Sequence, residues 1–142
     1  MKQLDKILFV CADETFHQKL SEILMPDIYQ LTRDIDAALE VLAQGYIPNL
    51  IVVDLVLPKL TGAETLDQLQ KRLLPLVVPG IIMTNNDRLV LYSLARVPEL
   101  LGVMSKKGEP DLLYERIKKL WDDYQTLVVD GEPMKSILNP TK

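Results

Sequence analysis

The fold of this chain is decided by residues 50–62, LIVVDLVLPKLTG, in which an apolar run ends in an acid. Four consecutive aliphatic residues are typical of a central strand that is covered on both faces of a sheet. Asp54 follows this run directly, and a helix is predicted to begin only near Gly62, too far along the chain for Asp54 to cap it. A carboxylate at the end of such a strand is a candidate nucleophile or metal ligand.

Short apolar runs alternate with amphipathic segments on both sides of this stretch, which predicts repeated strand–helix units. The predicted strands are Lys6–Cys11, Ile28–Thr32, Leu50–Asp54, Val78–Thr84 and Leu101–Ser105. The predicted helices lie at about Phe16–Leu24, Asp34–Gln44, Gly62–Leu74, Asn86–Arg96 and Leu113–Tyr124. Because crossovers are right-handed, five such units form a doubly wound parallel α/β sheet. Its ligand site is expected at the carboxyl ends of the strands.

Composition narrows the class of protein but not its function. The chain has 142 residues, 48% of them hydrophobic and 25% charged, as in an average soluble protein. A net charge of -4 without a basic cluster argues against direct nucleic-acid binding. Cys11 is the sole cysteine, so no disulfide forms within the chain. No apolar run is long enough to be a signal peptide or to span a bilayer, and we expect a cytoplasmic protein.

Residues 1–125 are predicted to form one domain, and residues 126–142 a C-terminal tail without helical periodicity. Within the tail, Leu127–Val129 could add an edge strand or bind a partner, and disorder is the simpler alternative.

The segment after the third strand matches a motif that consists of Asp54, Leu57, Pro58, Leu60 and Gly62. This motif resembles the segment around the phosphorylated aspartate of response-regulator receiver domains, and the resemblance extends over about residues 6–124. It implies a five-stranded flavodoxin-like (βα)5 sheet in the order 2-1-3-4-5. It also implies that Asp54 accepts a phosphoryl group from a histidine kinase or phosphotransfer protein in a two-component phosphorelay.

Two further residues at strand ends match the family. Thr84 ends the fourth strand, where the family has a hydroxyl residue that binds the phosphoryl group, although a polar strand end is common for other reasons. Lys106 matches the lysine that pairs with the phosphorylated aspartate. Lys107 follows where the family usually has proline, so either lysine could point into solvent.

The end of the first strand departs from the family pattern. The family has two consecutive acids there that hold magnesium, and Cys11 and Ala12 occupy those places. Asp13 could enter the pocket or merely cap the first helix. The Mg²⁺ ligands implied by the resemblance are therefore Asp54, the backbone carbonyl of Val56 and Asp13. Magnesium prefers six oxygen ligands, so we expect a weakened site.

The resemblance also implies a downstream protein partner and allows a homodimer. The output surface would comprise the fourth helix, the fifth strand and the last helix, including Arg88, Leu91, Tyr92, Val103 and Trp121. Core packing is the simpler role for Trp121. The alternative to a phosphorylated receiver is a degenerate receiver that binds a partner without phosphate. An enzyme that acts on a small molecule is disfavoured, because no glycine-rich phosphate loop follows any strand.

Overall fold

The computed structural model describes residues 3–85, 99–106 and 110–129. In chain order the elements are β1 (Ile7–Val10), α1 (Glu14–Ile23), a short 3-10 helix (Pro26–Ile28), β2 (Tyr29–Thr32), α2 (Ile35–Ala43), β3 (Leu50–Asp54), α3 (Gly62–Leu73), β4 (Gly80–Thr84), β5 (Leu100–Ser105) and α4 (Pro110–Val129). Each predicted strand is present, and its bounds agree with the prediction within two residues. The predicted helix Asn86–Arg96 lies outside the described residues.

The five strands form one parallel sheet in the order β2-β1-β3-β4-β5, which confirms the predicted fold class. β3 lies in the centre, and its four aliphatic residues are fully buried. The chain reverses its direction of winding between β2 and β3, so a crevice opens at the carboxyl ends of β1 and β3. Asp54 is at this position.

Alternate residues of each strand point to opposite faces, and each face has its own hydrophobic core. On one face, α1 and α4 cover a cluster that includes Phe9, Val52 and Met83, with Trp121 packed into it. On the other face, α2 and α3 cover a cluster around Val53. Trp121 is only 4% exposed, so it belongs to the core.

The first three helices begin at side-chain caps. Asp13 and Asp34 accept hydrogen bonds from backbone N–H groups in the first turns of α1 and α2. Thr61 and Glu64 form a reciprocal capping box at α3, in which each side chain accepts from the other residue's N–H. These caps fix where each helix starts and therefore the shape of the loops at the carboxyl edge of the sheet.

The last helix is longer than the sequence predicts. α4 continues to Val129, so Leu127–Val129 are helical and the alternative of an edge strand is wrong. The division between domain and tail at residue 125 remains a prediction. In the part of the chain that is described, no helix is both long and apolar enough to cross a membrane.

Candidate functional site

The register of the sheet places Cys11 beside Asp54. β1 and β3 are paired at Phe9 with Val52 and at Val10 with Val53, so the next positions along the two strands are Cys11 and Asp54. Both side chains lie on the face covered by α1 and α4. The Cys11 thiol donates to Asp54 Oδ2 across 3.3 Å. Cys11 and Asp54 are therefore direct neighbours across the ends of two adjacent strands.

Lys106 forms an ion pair with Asp54. The Lys106 Nζ donates to Asp54 Oδ2 at 2.8 Å, and the two side chains are 5% and 13% exposed, respectively. The Lys106 ammonium group also lies over the Phe16 ring, with Nζ 5.2 Å from the ring centroid. Of the two lysines considered, Lys106 thus points into the site. Lys107 lies outside the described residues.

Asp13 combines the two roles that the sequence left open. Its Oδ1 accepts from the N–H groups of Thr15 and Phe16 and so caps α1. Its Oδ2 accepts from Lys106 Nζ at 3.3 Å. Asp13 therefore reaches the pocket without a bulge in β1, because the two oxygens of one carboxylate serve separate partners.

Burial and pairing set the charge state of these groups. Burial raises the pKa of the Cys11 thiol from 9.0 to about 11, so the thiol is protonated and is a poor nucleophile at neutral pH. Burial lowers the pKa of Lys106, but the hydrogen bond to Asp54 and the nearby negative groups outweigh this effect and leave the pKa raised above 10.5. Lys106 is therefore a cation at neutral pH.

Main-chain hydrogen bonds tie β3, β4 and β5 together beside Asp54. Leu55 N–H donates to Met83 O at 2.7 Å, and Lys106 N–H donates to Thr84 O at 2.9 Å. Thr84 is 3% exposed and ends the strand next to Asp54. The predicted residues Asp54, Thr84 and Lys106 thus occupy the ends of three adjacent strands.

Close packing of the backbone explains why the motif has a glycine at position 62. A Cβ at Gly62 would lie 2.3 Å from Asp54 O and 2.8 Å from Leu55 Cα, both rigid backbone atoms. Gly62 N–H also donates to Leu55 O at 2.8 Å. The loop after β3 therefore folds back against the strand end only because position 62 has no side chain. This contact positions the backbone of Asp54.

His17 contacts the site in a way that the sequence analysis missed. Its Nε2 is hydrogen-bonded to the backbone oxygen of Cys11, not to the thiol. His17 therefore holds the end of β1 and does not activate the sulfur. Its position one turn after the Asp13 cap is the sequence signal that could have placed it above Cys11.

The pocket does not fit the magnesium site that the resemblance implied. A thiol contacts Asp54 where a carboxylate was expected, and Ala12 provides no oxygen ligand from its side chain. An ammonium group lies between the carboxylates of Asp13 and Asp54. Among the described residues, no group of three or more His, Cys, Asp or Glu side chains could hold a metal ion. The Val56 carbonyl remains a predicted ligand.

Solved structures with the same fold are numerous. No family model and no curated protein matches this sequence. The signal receiver domain of an HD domain-containing protein from Pseudomonas fluorescens is 20% identical, with a TM-score of 0.71 over 87% of this chain and 99% of that one. The N-terminal domain of a response regulator/sensory box/GGDEF protein from Carboxydothermus hydrogenoformans is 22% identical, with a TM-score of 0.68 over 87% and 98%. The chain has the fold of a response-regulator receiver domain.

One similar structure was solved in complex with Mg²⁺-BeF. The response regulator TrrA from Thermotoga maritima, in complex with Mg²⁺-BeF, is 21% identical, with a TM-score of 0.64 over 82% of this chain and 98% of that one.

Proposed function

We propose that this chain is a response-regulator receiver that accepts a phosphoryl group on Asp54 in a two-component phosphorelay. The observation that carries this proposal is the ion pair between Asp54 and Lys106 at 2.8 Å, at the carboxyl end of the central strand. A carboxylate in this position is accessible from the crevice. It is already paired with an ammonium group that can also pair with the oxygens of an added phosphoryl group.

The proposed donor is the phosphohistidine of a histidine kinase or phosphotransfer protein. An Asp54 carboxylate oxygen attacks phosphorus, a P–O bond forms, the P–N bond breaks, and the leaving imidazole takes up a proton. Asp54 Oδ2 accepts from both Lys106 and Cys11, which orients the carboxylate and favours Oδ1 as the attacking oxygen. Lys106 offsets the charge of the incoming phosphoryl group. The proposed function comprises two reactions at Asp54, namely this transfer and the later hydrolysis of the acyl phosphate.

The switch would use Thr84 and the surface beyond it. The Thr84 hydroxyl at the end of β4 can donate to a phosphoryl oxygen. Because the Lys106 N–H donates to the Thr84 carbonyl, a movement of the end of β4 would also displace the end of β5. The proposed downstream partner binds β5, α4 and the segment with Arg88, Leu91 and Tyr92, which lies outside the described residues. Val103 is partly exposed on β5 and fits this surface, whereas Trp121 is buried in the core.

Amide NMR spectra recorded before and after addition of beryllofluoride test the proposal. We expect shifts centred on Asp54, Thr84 and Lys106 in the wild-type chain. Asp54→Asn should abolish the shifts, because the amide cannot form the bond to beryllium. Asp36→Asn is a matched control, since this exposed carboxylate on α2 pairs with Lys59 away from the pocket. Wild-type spectra that do not change would contradict phosphorylation at Asp54.

A degenerate receiver is the second candidate, and the contact between Cys11 and Asp54 favours it. A neutral thiol replaces an acid there, so the pocket has lost a charge that phosphotransfer chemistry in the family uses. In this case the same output surface would bind its partner without phosphate. An unchanged NMR spectrum, combined with partner binding that survives in Asp54→Asn, would establish this function.

A further inference from the structure

Lys106 Nζ lies where the polar side chains of the pocket converge. It is 2.8 Å from Asp54 Oδ2, 3.3 Å from Asp13 Oδ2 and 3.6 Å from Cys11 Sγ. These three groups come from the end of β3, the cap of α1 and the end of β1. A single cation at this point therefore contacts every acidic side chain that the described residues bring to the pocket.

Without a metal ion, the charged side chains of the pocket sum to a net charge of -1. Two carboxylates face one ammonium group, and the thiol adds a neutral donor. A divalent cation that bound Oδ2 of Asp54 and Oδ2 of Asp13 would compete with Lys106 for both oxygens and would be repelled by its ammonium group at short range. Beside Asp54 it would meet the Cys11 sulfur, which is not a ligand that Mg²⁺ favours.

We propose that Lys106 is the resident cation of this pocket and that Asp54 binds a phosphoryl group without Mg²⁺. The ammonium group bridges the two carboxylates before the phosphoryl group arrives and then pairs with phosphoryl oxygens. It therefore compensates the negative charge that a metal ion would otherwise compensate. The second half of this inference, that Asp54 binds a phosphoryl group without Mg²⁺, rests on the proposed function. Its first half, the absence of a divalent site, can be tested separately.

A titration with Mn²⁺, a paramagnetic substitute for Mg²⁺, tests the first half. In the wild-type chain we expect no saturable broadening of amide signals around Asp54 at millimolar Mn²⁺. Cys11→Asp should create such broadening because it adds a carboxylate beside Asp54. Cys11→Asn is the matched control, since it has a similar shape without the charge. Ala12→Asp adds a carboxylate at an exposed position and provides a second test if Cys11→Asp does not fold.

Beryllofluoride binding tests the second half. We expect the wild-type affinity in EDTA to lie within about twofold of that in Mg²⁺. Lys106→Met should weaken binding at least about tenfold in both conditions, because the phosphoryl analogue loses its cation. Circular dichroism of each variant shows whether the fold is retained.

The outcomes separate this inference from the proposed function. Saturable Mn²⁺ broadening at Asp54 of the wild-type chain would overturn the inference, as would beryllofluoride binding that is lost in EDTA. Failure of beryllofluoride to bind in either condition would overturn the proposed function and the second half of the inference, while the Mn²⁺ titration still decides the first half. If neither Cys11→Asp nor Ala12→Asp shows saturable Mn²⁺ broadening, the loss of an acid beside Asp54 does not explain why the pocket binds no divalent cation, and this part of the inference is wrong.

Discussion

Asp54 is a carboxylate with only 13% of its side chain exposed, and it depends on Lys106 for charge compensation. Transfer of a charge from water into a partly buried position is costly unless a partner of opposite charge is fixed nearby. Lys106 is even less exposed, and it also pairs with Asp13, so its removal would leave two carboxylates close together without a cation. The resemblance to receiver domains implied the pair of Lys106 with Asp54, but the sequence could not show that one lysine contacts both acids.

We predict that Lys106→Met destabilises the fold by about 3–5 kcal/mol, the usual cost of removing one partner of a buried ion pair. Asp54→Asn in the same chain should recover part of this loss, with a coupling energy of about 0.5–3 kcal/mol. Urea unfolding of the two single variants and the double variant measures the cycle. Lys71→Met is the control, because Lys71 forms an exposed pair with Asp67 on α3 and should cost no more than about 1 kcal/mol. Additive effects of Lys106→Met and Asp54→Asn would contradict the coupling.

The sign of the pH dependence follows from the raised pKa of Lys106. A base with a higher pKa in the folded state than in the unfolded state stabilises the fold fully below the unfolded value. This contribution is lost as the pH rises through the folded pKa. The wild-type chain should therefore lose stability in strongly alkaline solution more steeply than Lys106→Met does.

At the scale of elements, the strands were the most predictable part of the chain. β3 occupies the predicted residues Leu50–Asp54, because a fully apolar run between polar residues leaves little freedom in its bounds. The start of α1 was less predictable, since Asp13 could be a cap or a pocket residue and the structure shows that it is both. The extent of α4 was underestimated, because the Thr126–Val129 segment lacks the apolar spacing on which the prediction depended.

Substitution of Asp13 separates its role as a cap from its role as an ion-pair partner. Asp13→Asn retains a good N-cap for α1 but loses the charge that pairs with Lys106, and Asp13→Ala loses both. We expect Asp13→Ala to cost about 1 kcal/mol more than Asp13→Asn in urea unfolding at neutral pH. Equal costs for the two variants would show that the cap contributes little to stability.

The two variants should also differ from the wild-type chain in acid. Burial raises the pKa of Asp13, but hydrogen bonds from Phe16 and Thr15 N–H and the pairing with Lys106 lower it below 3.8 overall. A carboxylate with a depressed pKa stabilises the fold above its unfolded pKa, and this contribution is lost as the pH falls through the folded value. Thermal melts at decreasing pH should therefore show a smaller loss of stability in Asp13→Asn than in the wild-type chain. The same slope in both would contradict this origin.

At the scale of the whole molecule, alternation of apolar strands and amphipathic helices was sufficient to predict the parallel sheet. Right-handed crossovers leave few arrangements of five strands, and the two clusters that flank the sheet include buried residues from each of the four described α-helices. The location of Asp54, Thr84 and Lys106 at one edge of the sheet was predictable because parallel strands end together, whereas their roles were implied by the resemblance and remain predictions. Its detailed contacts were not, because they depend on side-chain geometry at the register Cys11–Asp54, which composition and spacing do not encode.

The extent of the independently folding unit gives the last prediction. A chain truncated after Val129 retains all of α4, and we expect its free energy of unfolding to lie within about 0.5 kcal/mol of that of the full chain. Truncation after Gln125 makes this buried residue the C-terminus, so that its free carboxylate lies beside Tyr124 at the core, and it removes the last turn of the helix. This variant should lose about 1 kcal/mol more in urea unfolding. Equal stability of the two truncated chains would support a boundary at residue 125, whereas a large loss after Val129 would show that residues 130–142 belong to the domain.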